Sequence, residues 1–157
     1  MISTRRILIL SAIVMLFMGI SVTQSVSSSS KIEWMPYTKG MAVGKATGKK
    51  MFVNFYADWC AYCKEMDKNT FTNTDVINYI SHNFIPIKVN SDLEQKTAAR
   101  YNVRGLPTTL FLSKSGEQIG FRPGYIPADT MLILLKYVYS ESYQNMSLKD
   151  FTEKSGE

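Results

Sequence analysis

The chain has 157 residues, of which 45% are hydrophobic and 20% charged, with two cysteines, one histidine and a formal net charge of +5. At roughly 150 residues per domain, this length predicts a single domain with an ordinary hydrophobic core. Two cysteines exclude a scaffold held by several disulfides and a four-cysteine zinc site. The single histidine excludes most histidine-based metal sites, so we expect no metal and no other cofactor.

The first 25 residues predict a secretory signal peptide or an N-terminal membrane anchor. Arg5 and Arg6 precede an apolar stretch over residues 7–20, and a serine-rich run follows it. This is the layout of a secretory signal, although no Ala-x-Ala cleavage site is present. The apolar stretch is shorter than the ~20 residues of a spanning helix, but extended to Val22 it could cross a thin bilayer. Cleavage of the signal and tethering to the inner membrane through residues 7–22 both stay open. In either case we expect the rest of the chain to be periplasmic or secreted.

The remaining sequence is less basic than the whole chain. Without the first 25 residues the formal charge falls from +5 to +3, because the only charged residues among them are two arginines. No stripe of lysines and arginines appears, so we expect no nucleic-acid binding. The composition predicts a linker over residues 26–36, one domain over 37–145, and a polar, frayed C-terminal tail over 146–157.

Helical and strand patterns alternate along the predicted domain. In chain order we predict a helix from Tyr37 to Thr47, a strand from Met51 to Ala57, a helix from Asp58 to Met66, a helix starting at Asn73 or Thr74, a strand from Phe84 to Val89, a helix from Asp92 to Tyr101, strands from Thr109 to Leu112 and from Gln118 to Phe121, and a helix from Pro127 to Tyr139. This order predicts an α/β fold, with a parallel strand pair first and an antiparallel hairpin later.

Two details of these elements can be checked against a structure. Leu93 and Ala98 are predicted to point inward from their helix. Pro86 lies within a predicted strand, which indicates that its nitrogen faces a side without a ladder partner.

The two cysteines are separated by two residues, and they lie directly after a predicted strand and at the start of a predicted helix. The first turn of a helix has free N–H groups and the positive end of the helix dipole, which stabilise a thiolate. Because the thiolate is the nucleophile of disulfide exchange, we expect Cys60 to attack a substrate disulfide. Cys63, one turn later, would resolve the mixed disulfide. Trp59 is placed to shield the pair and to pack against a substrate.

Two other interpretations of the cysteine pair are weaker. A structural disulfide is compatible with a location outside the cytoplasm, but so short a loop restrains little of the unfolded chain. A zinc site would need two further ligands, and His82 is the only soft ligand left in the sequence. A redox-active Cys60–Cys63 disulfide is therefore favoured.

Two motifs resemble those of thioredoxin-like proteins. The segment from Phe55 to Lys64 (FYADWCAYCK) is similar to the family's active-site segment, and Gly105-Leu106-Pro107-Thr108, with its proline 44 residues past Cys63, is similar to the cis-proline loop. The longer string YADWCAYCKEMDKNTF resembles the C-terminal thioredoxin-like domain of the DsbD family of thiol:disulfide interchange proteins, and periplasmic thioredoxins. The resemblance covers about Met51 to Tyr139. It implies a thioredoxin fold with a central mixed sheet flanked by helices, a cis bond before Pro107, and a substrate groove shaped by Trp59, Leu106 and Pro107.

One position departs from the family pattern. Asn54 stands where thioredoxins usually carry a buried aspartate, a candidate proton acceptor for the resolving cysteine. An amide cannot act as a general base. Either water accepts the proton or a nearby carboxylate, Asp58 or Glu65, does so. Lys88, on the next predicted strand, could lie near Asn54.

Together these features predict an extracytoplasmic thiol-disulfide oxidoreductase that reduces protein disulfides. Neither Ala61 nor Tyr62, between the cysteines, is a histidine that would stabilise the Cys60 thiolate, and this favours a reducing potential. The expected partners are disulfide-bearing proteins and a membrane thiol that donates electrons, and we expect a monomer. One alternative is a disulfide-forming or isomerising catalyst, and the other is a non-catalytic thioredoxin-fold binding module. The lack of a visible dimerisation segment argues against the isomerase.

Overall fold

A computed structural model of the chain describes residues 30–156. In chain order the elements are α1 (Tyr37–Thr47), β1 (Lys50–Tyr56), α2 (Ala61–Asn69), α3 (Thr74–Asn83), β2 (Phe84–Asn90), α4 (Gln95–Arg100), β3 (Thr108–Leu112), β4 (Gln118–Pro123), α5 (Ala128–Tyr139), a 3₁₀ turn (Ser142–Gln144) and α6 (Leu148–Ser155). The predicted signal or anchor over residues 1–25 lies outside the described residues. Over residues 30–156, no helix has the length and apolar character needed to cross a membrane.

Four strands form one mixed sheet in the order β2-β1-β3-β4. β1 pairs parallel with β2 and antiparallel with β3, and β3 pairs antiparallel with β4. Helices cover both faces of β1, and its residues from Met51 to Phe55 are buried accordingly. The predicted fold class, including the parallel pair followed by an antiparallel hairpin, is confirmed.

Alternation along β1 divides the hydrophobic core between the two faces of the sheet. On one face, Phe52 belongs to a buried cluster that includes Met66 of α2 and Ile80 of α3. On the other face, Val53 and Phe55 belong to a cluster that α1 and α4 cover. The helix that carries the cysteines therefore packs on the same face of the sheet as Phe52.

The outer edge of β2 is partly covered by the segment before α1. Met35 forms a parallel bridge with Ile87: its N–H donates to the Pro86 carbonyl at 2.9 Å, and its carbonyl accepts from the Lys88 N–H at 3.1 Å. The backbone N and C=O of a strand residue face the same edge, so the nitrogen of Pro86 also faces this outer edge and is not needed for pairing with β1. This agrees with the prediction from the sequence.

The packed structure begins before the predicted domain boundary. Ile32 is buried, and the Trp34 ring lies 6.0 Å from that of Phe52 and 5.0 Å from that of Phe71. These residues fall within the predicted linker over residues 26–36. They belong to the fold because an apolar residue at every second or third position gives the segment a face to bury.

The prediction for Leu93 is wrong, since its side chain is 82% exposed, whereas Ala98 is buried as predicted. The Asn90 side chain accepts hydrogen bonds from the N–H groups of Asp92, at 3.0 Å, and Leu93, at 3.4 Å. This side chain closes a turn after β2, and α4 begins only at Gln95. Leu93 therefore lies in a surface turn and not on the inner face of a helix.

The expectation of a frayed C-terminal tail is also wrong. Residues Leu148–Ser155 form α6, which begins with a capping box between Ser147 and Asp150. The Phe151 ring lies 5.4 Å from that of Tyr137 on α5. The tail is polar in composition, but its helix has a capped start, and both Leu148 and Phe151 pack against the rest of the fold.

Candidate active site

The cysteine pair lies where β1 passes into α2. Cys60 is the N-cap residue of α2, and its Sγ accepts a hydrogen bond from the Cys63 N–H at 3.1 Å. The two cysteines form a disulfide, with their Cα atoms 5.3 Å apart. The Cys60 sulfur therefore lies at the positive end of the helix, as the sequence predicts, where the free N–H groups of the first turn favour a thiolate once the bond is reduced.

Both cysteines are largely enclosed, each with 4% of its surface exposed. They pack with Ala57, and Tyr56 and Leu106 lie against this cluster. The residues around the pair are, by contrast, open to solvent: Trp59 is 71% and Tyr62 67% exposed. A partner protein would thus meet an aromatic surface before it reaches the sulfur atoms.

Trp59 is held in place by a hydrogen bond from a different part of the chain. Its Nε1–H donates to Asp92 Oδ2 at 2.8 Å. Asp92 lies in the turn that Asn90 closes after β2. The bond restrains the indole beside the cysteines and leaves most of its surface free for contact.

The predicted cis-proline loop, Gly105 to Thr108, lies next to the cysteine motif in the folded chain. The Leu106–Pro107 peptide bond is cis, as the resemblance implied. Pro107 is buried, and Leu106 packs against the cysteine cluster. Thr108 opens β3 directly opposite Phe55 near the end of β1. The antiparallel pairing of β1 and β3 therefore brings together two segments that are far apart in the sequence.

The two carboxylates proposed for proton transfer lie on the surface of the motif. Asp58 and Glu65 are both exposed, and the Glu65 carboxylate accepts a hydrogen bond from the Asn69 side chain. Their part in proton transfer stays a prediction.

A carboxylate that sequence reasoning missed lies close to Asn54. Lys88 is the register partner of Asn54 in β2, which confirms their predicted proximity. Its Nζ donates to both oxygens of Asp67 on α2, at 2.7 and 2.8 Å. The same ammonium group lies 4.8 Å from the centre of the Tyr56 ring and 5.5 Å from that of Trp34. This ion pair ties the cysteine helix to the sheet, and no local sequence signal marks it.

Asn54 itself is buried in the sheet below the cysteines, with 2% of its surface exposed. Its Nδ2 has no hydrogen-bond partner, and neither has Oγ1 of Thr109. Thr109 is the register partner of Asn54 in β3. Lys88, Asn54 and Thr109 thus form a polar row across three strands, on the face that α2 covers.

The described residues offer little for binding a metal ion. Over residues 30–156, no group of three or more histidine, cysteine, aspartate or glutamate side chains is arranged to hold one. His82 lies in the last turn of α3, and its Nδ1 is 2.7 Å from the Asn78 carbonyl oxygen. Since α3 leads into the start of β2, His82 is at the end of the sheet opposite to the cysteines.

Comparison with known proteins agrees with this geometry. Residues 37–139 match the family model for the thioredoxin-like domain. The chain belongs to the thioredoxin-like family. A thioredoxin from Thermus thermophilus superposes on this thioredoxin-like protein with a TM-score of 0.63 and 30% identity, covering 69% of this chain and 87% of that one. A DsbH oxidoreductase superposes with a TM-score of 0.59 at 16% identity, covering 82% and 96%, and shows the fold alone.

Curated relatives of this thioredoxin-like protein include thiol:disulfide interchange proteins named DsbD. The protein from Tatumella citrea is 36% identical over 104 residues, which are 63% of this chain and 18% of that relative. The protein from Pseudoalteromonas atlantica is 35% identical over 89 residues, 53% of this chain and 14% of the relative. The chain thus spans less than a fifth of the length of these relatives. Family and geometry together support thiol-disulfide oxidoreductase activity at the Cys60–Cys63 pair.

Proposed function

We propose that this thioredoxin-like protein reduces the disulfides of other proteins outside the cytoplasm, by dithiol exchange through Cys60 and Cys63. The observation that carries the proposal is the Cys60–Cys63 disulfide at the N-terminus of α2, packed against Leu106 of the cis-proline loop. A helix N-terminus stabilises the thiolate that attacks. The second cysteine, one turn away, is positioned to complete the exchange.

The reaction begins with the reduced pair. The Cys60 thiolate attacks one sulfur of a substrate disulfide, forms a bond to it and releases the other substrate sulfur as a thiolate. Cys63 then loses its proton and attacks the Cys60 sulfur. The bond between Cys60 and the substrate breaks, and its electron pair leaves with the substrate sulfur. The substrate is reduced, and the Cys60–Cys63 disulfide is the oxidised product.

Exposed groups around the pair are suited to hold a substrate chain. Trp59 offers an aromatic face restrained by its hydrogen bond to Asp92. Leu106 lies beside the cysteines, where its backbone groups can pair with an extended substrate segment in the manner of an added strand. The buried Pro107 fixes the course of this loop.

The surroundings of the cysteines favour the reducing direction. Ala61 and Tyr62 separate the cysteines, and neither can become an imidazolium. The positive charge of Lys88, on the neighbouring strand, is neutralised by Asp67. With little cationic stabilisation of the thiolate, the reduced form gains less stability relative to the disulfide, and the pair is a stronger reductant.

A reductase outside the cytoplasm needs a supply of electrons. The thiol:disulfide interchange proteins among the relatives support a thiol as the donor, and we propose that it is a membrane thiol. Residues 1–25 act as a signal peptide or as an anchor through residues 7–22. The substrates are disulfide-bearing proteins, and the protein acts as a monomer.

Two experiments test the proposal. Reduction of insulin with a chemical thiol donor should be accelerated by the wild-type protein and not by Cys60→Ala. In cells, Cys63→Ala should accumulate mixed disulfides between Cys60 and its substrates, while a Cys60→Ala, Cys63→Ala control captures nothing. If Cys63→Ala traps no protein while the wild type is fully oxidised in cells, the reductase function is refuted. A failure in the insulin assay would favour a non-catalytic binding module.

A further inference from the structure

Two polar side chains below the disulfide share an unusual property. Asn54 is 2% and Thr109 0% exposed, yet Asn54 Nδ2 and Thr109 Oγ1 have no hydrogen-bond partner in the protein. The two residues face each other across β1 and β3. Leaving one such atom unpaired in a core is costly, and buried polar groups are nearly always satisfied. Two unpaired atoms at directly paired positions point to a shared ligand.

The position of these atoms relates them to the cysteines. Side chains alternate along a strand, so Asn54 points to the same face as Tyr56, which packs against the cysteine cluster. On β3, Thr109 lies directly opposite Asn54 and so points to the same face. Asn54 is about 7 Å of strand below Tyr56, which borders the cysteine cluster. The pair lies between the sheet and α2, underneath the cysteines.

We infer that Asn54 and Thr109 hold a buried water molecule beneath the Cys60–Cys63 pair, and that this water accepts the proton of Cys63. A buried water needs two to four polar partners. The water accepts hydrogen bonds from the Asn54 amide and from the Cys63 thiol of the reduced protein, and it donates one to the Thr109 hydroxyl oxygen. Asn54 and Thr109 are positioning residues, because they act through the water.

This inference rests on the proposed function and gives the resolving step a proton acceptor. In the mixed disulfide, the Cys63 proton passes to the water and from it to solvent. The Cys63 sulfur bonds to the Cys60 sulfur, and the bond from Cys60 to the substrate breaks. The substrate thiolate takes a proton from solvent, so protons and electrons balance without a further oxidant. An amide at position 54 is then sufficient, because its task is to hold the water and not to ionise.

The two steps of exchange can be followed separately with 5,5′-dithiobis(2-nitrobenzoate) and the reduced full chain. Attack by Cys60 releases a first thionitrobenzoate, and resolution by Cys63 releases a second. Thr109→Val keeps the shape of the side chain and removes the hydroxyl. We expect it to slow the second release by roughly fivefold to tenfold, the effect of about one hydrogen bond, without changing the first. Thr109→Ser should recover most of the lost rate, and Thr152→Val on α6 is a distant control.

Asn54→Asp provides a second readout. It places an ionisable group at the water, so the second release should gain a pH inflection that the wild type lacks. The inference is overturned if Thr109→Val resolves at the wild-type rate, or if Asn54→Asp leaves the pH profile unchanged. Absence of the first release in the wild type would instead refute the proposed function itself.

Two measurements do not depend on kinetics. If the atoms were simply unpaired, Thr109→Val would remove a buried, unsatisfied hydroxyl and raise the urea midpoint of unfolding. A held water predicts an unchanged or lower midpoint, because the substitution takes one of its partners away. In the wild-type protein, rotating-frame NMR should show a cross-peak between a long-lived water and the Asn54 amide hydrogens. A raised midpoint or a missing cross-peak overturns the inference.

Discussion

The ion pair between Lys88 and Asp67 joins the cysteine helix to the sheet, and Asp67→Asn should destabilise the protein measurably. The Lys88 Nζ lies 2.7 and 2.8 Å from the two carboxylate oxygens. The Lys88 side chain is 20% and the Asp67 side chain 41% exposed, so the burial of this ion pair lies between that of a surface pair and that of a fully buried one. Exposed pairs contribute about 0.2–1 kcal/mol, and removing one partner of a buried pair costs about 3–5 kcal/mol. We expect Asp67→Asn to lower the free energy of unfolding by about 1–2 kcal/mol.

The measurement is urea unfolding of the oxidised protein at neutral pH. Glu153→Gln is the matched control, since its pair with Lys149 spans 3.8 Å with side chains 67% and 83% exposed. It should cost less than about 0.5 kcal/mol. Adding Lys88→Met to Asp67→Asn should restore part of the loss, because it removes the stranded charge. Equal losses for Asp67→Asn and Glu153→Gln would refute the argument that this pair holds α2 to the sheet.

Three further predictions concern packing, pH and potential. Gly40→Ala should lower the free energy of unfolding by about 1–3 kcal/mol, because an added Cβ would overlap the Ile87 side chain. Gly120→Ala is the control, since a Cβ added there meets no atom within 4 Å. Equal urea midpoints of the two variants would contradict the prediction. The hydrogen bond from Lys50 Nζ, at 2.7 Å, holds the pKa of Glu141 below its ordinary value of 4.5. The stability it contributes is therefore complete above that value and lost as the pH falls through the lowered pKa, so Glu141→Gln should flatten the acid side of the stability profile; an unchanged profile would exclude this contribution. Equilibration with glutathione should give a potential nearer to the about −270 mV of thioredoxin than to the about −120 mV of DsbA, and a value near the latter would refute the reducing direction.

Elements whose ends are marked by neighbouring proline or glycine residues could be predicted well from the sequence. Helix α1 begins and ends at the predicted residues, Tyr37 and Thr47. It follows Pro36, which precedes its first turn, and it stops at Gly48, whose φ of 67° is the left-handed conformation of a helix cap. Both signals are confined to neighbouring residues, so no tertiary information is needed to read them.

Two features that depend on particular side-chain contacts could not be predicted in the same way. The turn that exposes Leu93 depends on an Asn90 side chain bending back onto the next residues, and the apolar pattern alone misplaced it. The fixed C-terminal helix depends on Phe151 meeting Tyr137. The first contact is local but does not affect the apolar pattern, and the second joins two helices and is set by the packing of the folded chain.

Some residues of the candidate site could be predicted from short sequence motifs, and others could not. Cys60, Cys63 and Pro107 could be predicted because each belongs to a short motif that requires its residue type. Asp67 and Thr109 could not, because their importance comes from the strands and helices that place them beside Lys88 and Asn54. The departure at Asn54 was visible in the sequence, but its unpaired neighbour in β3 was not.

The bridge between Met35 and Ile87 also changes what the outer edge of β2 offers to another chain. An open sheet edge presents unpaired N–H and C=O groups to which another chain can add. At the β2 edge, Pro86 has no N–H to offer and its carbonyl is already taken by Met35. The β4 edge, at the other side of the sheet, ends in Arg122 and Pro123, a charge and an imino acid that discourage a further strand. Strand addition is thus hindered at both margins of the sheet.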